Sequence, residues 1–271
     1  MGKRRTAMEQ IAIVTGGTGG IGLATAQALG QAGVKVYTLS RKPGGDSTFA
    51  HLCADVSDEG QVRRAVEEVL SREGKIDLLV NCAGFGISGA VEFTHSADAH
   101  RQMEVNLFGT DNLCRAVLPV MRRQGKGRIV NVSSMAAPLP IPFQAWYSVS
   151  KAAINAYTGA LINEVRPYGV SLCAVMPGDI RTGFTAARKK SDAGDDAYGG
   201  RIARSVARME RDEKHGMDPA AAGRAIARIA LKKRVKPLYA IGGEYKLFAL
   251  LAKLLPCGAV SRILGRMYAG K

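Results

Sequence analysis

The chain has 271 residues, of which 46% are hydrophobic and 23% charged, and its formal net charge is +15 at pH 7. This composition excludes intrinsic disorder and predicts a single domain over residues 1–271 with a sizeable core. The longest apolar run, residues 247–252, is shorter than the roughly 18–20 residues that cross a bilayer. The five cysteines lack metal-ligand spacing, which predicts reduced thiols in the cytoplasm and no metal site.

Short apolar segments alternate with longer helical segments along the chain. The predicted strands are residues 10–17, 34–41, 51–56, 75–84, 127–134, 169–178 and 235–242. The predicted helices are residues 20–33, 57–74 with Ser57 as N-cap, 97–125 and 147–164. Continuous apolar strands that alternate with helices indicate a parallel sheet covered on both faces. The predicted fold is therefore α/β: a Rossmann-type doubly wound, mostly parallel seven-stranded sheet with helices on both faces, and a ligand site at the carboxyl ends of the strands.

A glycine-rich turn, TGGTGGIG at residues 15–22, joins the first predicted strand to the first helix. Glycines permit a tight turn, and the helix N-terminus offers free N–H groups and partial positive charge to a pyrophosphate. The second strand ends in Ser40 and Arg41 instead of the acidic residue that would hold the ribose 2′-hydroxyl of NAD. Because arginine pairs with a 2′-phosphate, the sequence predicts NADP(H); the alternative is that Arg41 is a plain surface residue.

Four polar residues point to a proton-transfer site at the same edge. Ser134 ends the fifth predicted strand, Asn106 lies inside the long helical segment, and Tyr147 and Lys151 stand four residues apart on one helix face in WYSVSK. A phenol of ordinary pKa, about 10, is a poor acid–base group at neutral pH, and a nearby ammonium lowers that pKa. We therefore expect Tyr147 to give a proton to a carbonyl oxygen that Ser134 hydrogen-bonds, with Asn106 holding a water beside Lys151. A purely structural Tyr–Lys pair is the alternative.

These motifs together resemble the short-chain dehydrogenase/reductase family over about residues 10–185: the glycine turn, NCAG (with Cys82 in place of an asparagine), YSVSK and PGDIRT stand in the family's order and spacing. The resemblance implies a catalytic tetrad of Asn106, Ser134, Tyr147 and Lys151. It also implies a cofactor site that includes Ser40 and Arg41. In this site the diphosphate contacts Thr15, Gly16, Thr18, Gly20, Ile21 and Gly22, the adenine contacts Asp55 and Val56, and the adenosine ribose contacts Asn81, Ala83 and Gly84. Tyr147 and Lys151 lie at the nicotinamide ribose, Pro177 and Gly178 form a further close approach, and Ile180 and Thr182 contact the carboxamide.

Apolar residues near the tetrad suit a lipophilic substrate. The candidate substrate-binding residues are Phe85, Ser134, Met135, Phe143, Tyr147 and Phe184, with residues 183–217 as a lid; each apolar one has a role in the core or in a dimer contact as its alternative. The C-terminal tail, together with GFGISGAVE after the fourth strand, resembles relatives that act on steroids, bile acids and retinoids. This resemblance makes an NADP(H)-dependent hydroxysteroid dehydrogenase the leading hypothesis. A retinal-type or general carbonyl reductase is the second, and a non-catalytic NADP(H)-sensing or nucleic-acid-binding protein represents another class.

The positive charge is concentrated in residues 181–271, which carry 20 Lys and Arg against 8 Asp and Glu. This region has no interleaved aromatics, so we expect no nucleic-acid partner. The tail at residues 242–271 combines apolar segments with Lys246, Lys253, Arg262 and Arg266, and it either lies on an anionic membrane, closes the cleft or packs on the body. Residues 1–8 form a loose basic arm, and the family resemblance implies a homodimer or homotetramer built on the helices at 98–123 and 147–164.

Overall fold

The computed structural model describes residues 9–44 and 46–270, so the predicted arm at residues 1–8 lies outside the described part of the chain. The strands are β1 (Ile11–Thr15), β2 (Lys35–Ser40), β3 (Ala50–Cys53), β4 (Leu78–Asn81), β5 (Ile87–Ser88), β6 (Gly127–Val132), β7 (Val170–Pro177), β8 (Lys189–Lys190) and β9 (Leu238–Ile241). Apart from the short β5 and β8, they form one sheet in the order β3-β2-β1-β4-β6-β7-β9, with every pair parallel. Each of these seven strands overlaps a predicted one, and the doubly wound α/β prediction is confirmed.

The helices of the described residues surround this sheet. They are α1 (Gly20–Gln31), α2 (Glu59–Glu73), α3 (Ser96–Met103), α4 (Gly109–Gln124), α5 (Ala145–Val165), α6 (Phe184–Ala187), α7 (Arg201–Lys214), α8 (Pro219–Ala230), α9 (Gly243–Leu254) and α10 (Cys257–Leu264). The predicted helix at residues 97–125 is interrupted by a π-helical segment, Glu104–Phe108, that contains Asn106. The prediction of Ser57 as the N-cap of α2 is wrong. Asp58 is the cap and accepts from the Gln61 N–H at 2.9 Å, whereas the Ser57 hydroxyl bonds Asp55 Oδ1.

The two faces of the sheet bury separate apolar clusters. Alternate residues of a strand point to opposite faces: Ile11 and Ile13 lie in the cluster covered by α2, α4 and α5, while Ala12 and Val14 lie in the cluster under α1 and α8. A strand buried on both sides needs an apolar residue at every position, which explains the continuous apolar runs in the sequence.

The strand order reverses between β1 and β4, which are neighbours although two strands separate them along the chain. Thr15 at the end of β1 pairs with Asn81 at the end of β4. Ligands of open α/β sheets bind in the crevice at the carboxyl ends of the strands where the order reverses. The fold therefore places the glycine turn and the NCAG segment on the two sides of this crevice.

Residues 183–217, the predicted lid, contain α6, β8 and α7. Strand β8 pairs in parallel with β5, so this segment is attached to the chain that follows β4. A two-residue strand has no detectable periodicity, and the sequence did not predict this pair. Helix α8, also unpredicted, packs on α1 at Gly223, where an added Cβ would come within 2.4 Å of the Ala24 main chain.

Candidate active site

The turn after β1 leaves space for a ligand because it lacks side chains. Gly16 and Gly20 have φ values of 64° and 52°, in the left-handed region that favours glycine. A Cβ added to Gly22 would lie 2.2 Å from the Gly16 carbonyl oxygen. Helix α1 has Gly19 as its N-cap and therefore no side-chain cap for its first N–H groups. Uncapped N–H groups at a helix start bind anions, so this turn fits the diphosphate of a dinucleotide.

Side chains from β1 and β2 fix the walls of this turn. The Thr15 hydroxyl accepts from the N–H groups of Cys82 and Ala83, both at 3.0 Å, and so ties the glycine turn to the end of β4. Thr18 donates to the Ser40 hydroxyl at 3.2 Å. Arg41 is exposed beside them, and within residues 9–44 and 46–270 its guanidinium makes neither an ion pair nor a hydrogen bond. A free cation next to Ser40 suits a 2′-phosphate.

Two other predicted cofactor residues follow β3. Burial raises the pKa of Asp55, but hydrogen bonds from the Ser57 hydroxyl and N–H and from Arg101, at 2.9 Å, outweigh it and leave this pKa lowered. The Asp55 carboxylate is therefore charged and fixed in place. Val56 packs against Gly109, where an added Cβ would come within 2.6 Å of a Val56 methyl group.

Asn81 is the predicted cofactor residue whose side chain turns away from the crevice. Its Nδ2 donates to Asn131 Oδ1 at 2.9 Å, and Asn131 in turn donates to the Thr158 hydroxyl at 2.9 Å. All three side chains are buried, so this chain of hydrogen bonds links β4, β6 and α5 inside the sandwich. Ile21 likewise packs partly against the core under α1.

Asn106 is fully buried in the π-helical segment, and its amide brackets the main chain of Phe85. Oδ1 accepts from the Phe85 N–H, and Nδ2 donates to the Phe85 carbonyl and the Ser150 hydroxyl, each at 3.0 Å. A Cβ at Gly84 would lie 3.0 Å from Asn106 Oδ1 and 3.6 Å from Lys151 Nζ. Asn106 thus holds the segment after β4 beside the amine, and the predicted water-holding role stays a prediction.

Helix α5 brings Tyr147 and Lys151 to the end of β6. Lys151 is 5% exposed, its Nζ donates to the Val132 carbonyl at 2.9 Å, and it lies 5.7 Å from the centre of the Tyr147 ring. The Ser133 hydroxyl donates to the Lys151 carbonyl at 2.9 Å, and the Ser134 hydroxyl accepts from the Ala136 N–H at 3.1 Å. The end of β6 therefore meets the first turns of α5 through several hydrogen bonds.

The electrostatics of this pair differ from the expectation that Lys151 lowers the pKa of Tyr147. Burial raises the pKa of Tyr147 to about 12, against smaller lowering effects of a hydrogen bond with Ser134 and of the Arg188 charge. Burial also lowers the pKa of Lys151 to about 8. Desolvation penalises the charged form of each group and is the largest effect on both pKa values. Tyr147 is consequently a neutral phenol at pH 7, and Lys151 is mainly an ammonium.

The predicted substrate residues separate into two groups. The Phe184 ring lies 5.5 Å from the Tyr147 ring, and the main chain of Phe85 is held by Asn106. Met135 is buried, with its N–H donating to the Pro177 carbonyl at 2.9 Å. Phe143 has a φ of 59° and stacks edge-on with Tyr198 at 5.7 Å, which places it against the lid.

The residues after β7 connect the glycine turn with the lid and the tail. A Cβ at Gly20 would lie 3.6 Å from Thr182, so Thr182 faces the turn. Ile180 bridges to Met217. Tyr245 of α9 covers Gly178 and donates to Asp179 at 2.6 Å. The start of the tail therefore packs on the body at the site edge.

A buried ion pair next to Phe184 has no counterpart among the residues predicted from the sequence. Arg188 pairs through Nη2 with Glu213, although both lie in a segment rich in charged residues. A charged residue in a polar stretch is normally exposed, so no sequence pattern distinguished these two from their neighbours.

Comparisons with known proteins agree with this geometry. A family model described as short chain dehydrogenase matches residues 10–193. The chain is 38% identical over 269 residues to the 3-ketodihydrosphingosine reductase of Bacteroides thetaiotaomicron, covering 96% of this chain and 98% of that relative. It is 29% identical over 252 residues to a probable short-chain type dehydrogenase/reductase of Helicobacter pylori, covering 91% and 93%. Among solved structures, a short-chain dehydrogenase from Streptomyces avermitilis has a TM-score of 0.81 at 30% identity and covers 95% of this chain and 98% of its own.

Proposed function

The chain belongs to the short-chain dehydrogenase family, and on that premise we propose that it transfers a hydride between NADP(H) and a lipophilic ketone or alcohol, mainly as a ketone reductase. The observation that carries this proposal is the group of Ser134, Tyr147 and Lys151 at the end of β6, with Phe184 against the Tyr147 ring. It combines a proton donor with an apolar wall. Members of this family are oxidoreductases, and family membership therefore supports an enzymatic function for this chain.

The side chains divide the chemistry among them. When bound, the nicotinamide supplies the hydride. Tyr147 holds a proton at its phenol oxygen, because its pKa of about 12 keeps it neutral at pH 7, and this proton goes to the carbonyl oxygen. Ser134 is the hydrogen-bond partner of that oxygen. The Lys151 ammonium stabilises the negative charge left on the phenol.

The choice of NADP(H) over NAD(H) depends on Arg41. Its exposed guanidinium follows Ser40, whose hydroxyl donates to the Lys42 carbonyl at 2.8 Å and accepts from Thr18. No carboxylate occupies the end of β2 in this part of the described chain, so nothing there repels a phosphate. The remaining cofactor-binding residues keep the roles that the family resemblance implies.

Arg41→Asp is expected to raise the KM for NADPH about 10- to 100-fold, the value of a lost charge-assisted hydrogen bond, and to leave the KM for NADH unchanged or lower. Arg63→Asp makes the same charge change on the exposed face of α2 and should leave both constants unchanged. Initial rates with each cofactor provide the measurement. Wild-type enzyme that uses NADH at least as well as NADPH, with no effect of Arg41→Asp, would contradict the NADP(H) proposal.

The first candidate substrate is a long-chain 3-keto amino alcohol of the 3-ketodihydrosphingosine type. Its support is the relative from B. thetaiotaomicron, which is 38% identical over almost the whole of both chains. The apolar Phe184 ring beside Tyr147 suits an alkyl chain as well as a fused ring system. The hydroxysteroid and retinal hypotheses therefore stay as the second and third candidates, followed by a general carbonyl reductase.

A panel of ketones with NADPH tests the substrate class. We expect 3-ketodihydrosphingosine to give the highest kcat/KM, above a keto-steroid, retinal and a small aliphatic ketone. Tyr147→Phe protein, purified in parallel, measures any contaminating activity. Turnover confined to small polar ketones would reject a lipophilic substrate. An absence of hydride transfer with every ketone, together with salt-dependent retention on DNA, would instead favour the non-catalytic nucleic-acid-binding hypothesis.

Two proposals concern partners. Phe108 and Val149 are 54% and 47% exposed on the helical segments expected to form an oligomer interface, which supports a homodimer or homotetramer and is tested by light scattering.

On the tail, Leu247, Leu250 and Leu254 are exposed between basic residues, which supports peripheral contact with an anionic bilayer; failure to sediment with anionic vesicles would reject it. Among the described residues, no helix has the length and hydropathy needed to cross a membrane.

A further inference from the structure

The lid contains a buried guanidinium that the proposed reaction does not yet use. The Arg188 side chain has no exposed surface. Its Nη2 pairs with Glu213 Oε1, and Thr185 donates to the other oxygen of the same carboxylate. Burying a charged pair costs desolvation energy, so such a pair is expected to satisfy its remaining hydrogen-bonding groups.

Arg188 retains donors that have no acceptor in the described chain. Its Nε and Nη1 atoms are both buried and make no hydrogen bond within residues 9–44 and 46–270. A guanidinium carries five N–H groups in a fixed plane, and a buried donor without a partner is costly. An acceptor supplied by a ligand would remove this cost.

These donors lie near the Phe184 ring, which packs against the reacting phenol. The Arg188 guanidinium carbon lies 5.4 Å from the centre of the Phe184 ring, and the same ring lies 5.5 Å from the Tyr147 ring. Nε lies 3.7 Å from the position that a Cβ of Gly86 would occupy. Gly86 follows Phe85 in the segment that Asn106 holds beside Lys151. Arg188 therefore borders the same aromatic wall as the proton donor.

The charge balance indicates what kind of acceptor fits. Glu213 already neutralises Arg188, and the nearby Asp179 is also acidic. The Glu213 carboxylate would repel a second anion, whereas a neutral oxygen would accept from the free N–H groups without this repulsion. A hydroxyl group close to the carbonyl has this chemistry.

Building on the proposed function, we propose that Arg188 is a specificity-determining residue that donates a hydrogen bond to a substrate hydroxyl two carbons from the carbonyl being reduced. Glu213 is the positioning residue that orients the guanidinium. In a 3-keto amino alcohol this oxygen is the 1-hydroxyl. The site thus distinguishes a hydroxyketone from a plain ketone of the same chain length.

The test compares 3-ketodihydrosphingosine with its 1-deoxy analogue, which has a methyl group in place of the hydroxymethyl group. Wild-type enzyme is expected to prefer the hydroxyl-bearing ketone about 10- to 100-fold in kcat/KM. Arg188→Met combined with Glu213→Gln removes both charges together, which avoids leaving an unpaired buried carboxylate. This double variant should lose the preference while it reduces the 1-deoxy ketone at close to the wild-type rate. Lys189→Met, which removes an exposed cation paired with Asp98, should keep the preference.

Three outcomes would overturn the proposal. One is wild-type enzyme that reduces the two ketones equally well. Another is a double variant that loses activity on both to the same extent, which would make the ion pair a structural fastening of the lid; Arg188→Lys, which keeps the charge, provides a second check on folding. The third concerns the case in which long-chain ketones are not substrates and the proposed function fails. The comparison then uses 4-hydroxy-2-butanone and 2-butanone. Equal turnover of these two ketones, or no turnover of either, rejects the role of Arg188.

Discussion

Tyr147→Phe is expected to lower kcat for ketone reduction by about 10²- to 10⁴-fold, the usual contribution of a positioned general acid. The substitution removes one oxygen atom and leaves the ring beside Phe184, so the fold and the glycine turn should be unchanged. Binding of NADPH, followed by its fluorescence, should therefore stay near the wild-type affinity. Stopped-flow or steady-state absorbance of NADPH measures the loss of turnover.

A matched control lies on the same helix. Tyr157 of α5 donates to Asp111 at 2.8 Å, away from the end of β6, and Tyr157→Phe removes the same atom there. We expect kcat within a few-fold of wild type for this control. If Tyr147→Phe enzyme kept turnover similar to that of Tyr157→Phe enzyme, Tyr147 would not be the proton donor.

Gly22→Ala is expected to weaken NADPH binding at least about tenfold and to lower the free energy of unfolding by about 1–3 kcal/mol. The new methyl group would lie 2.2 Å from the Gly16 carbonyl oxygen and 2.7 Å from its carbon. These are main-chain atoms, which cannot rotate away as a side chain can, so the turn itself must move. Titration of NADPH fluorescence and thermal unfolding measure the two effects.

Gly19→Ala is the control for this substitution. An added Cβ at Gly19 meets no atom within 4 Å, and its φ of −167° is extended backbone that any residue adopts. NADPH affinity and stability should therefore stay close to those of wild type. Equal losses in the two variants would mean that the turn is sensitive to any added atom, and equal retention would mean that it does not hold the cofactor.

The sequence predicted the sheet well because its strands are buried on both faces. Residues 11–14 of β1 lie alternately in the two buried clusters, and so do Val170, Leu172, Cys173 and Val175 of β7, which gives these strands their apolar sequence. The two-residue strands β5 and β8 are too short for any pattern. Asp58 is the N-cap instead of the predicted Ser57, because the Ser57 hydroxyl donates a hydrogen bond to the Asp55 carboxylate. Sequence spacing alone does not reveal this contact.

The sequence suggests the members of the candidate site, whereas the energetics of the site depend on packing. Helical spacing puts Tyr147 and Lys151 on one face, and the companion motifs single them out, but the effect of burial on both pKa values requires the packed structure. Arg188 was missed because a sequence does not show which charges of a polar segment become buried. Predicting it would require the contacts of Arg188 with Glu213 and Phe184.

The hydrogen bonds from Asn81 through Asn131 to Thr158 have a consequence for protein engineering. They fasten α5 to β4 and β6 through buried polar side chains beside an apolar cluster. A redesign that considers only the positions lining the crevice would overlook these buried residues, which hold the helix that carries Tyr147 and Lys151. Asn131 and Thr158 therefore belong among the positions to keep fixed when this scaffold is redesigned for new ketones.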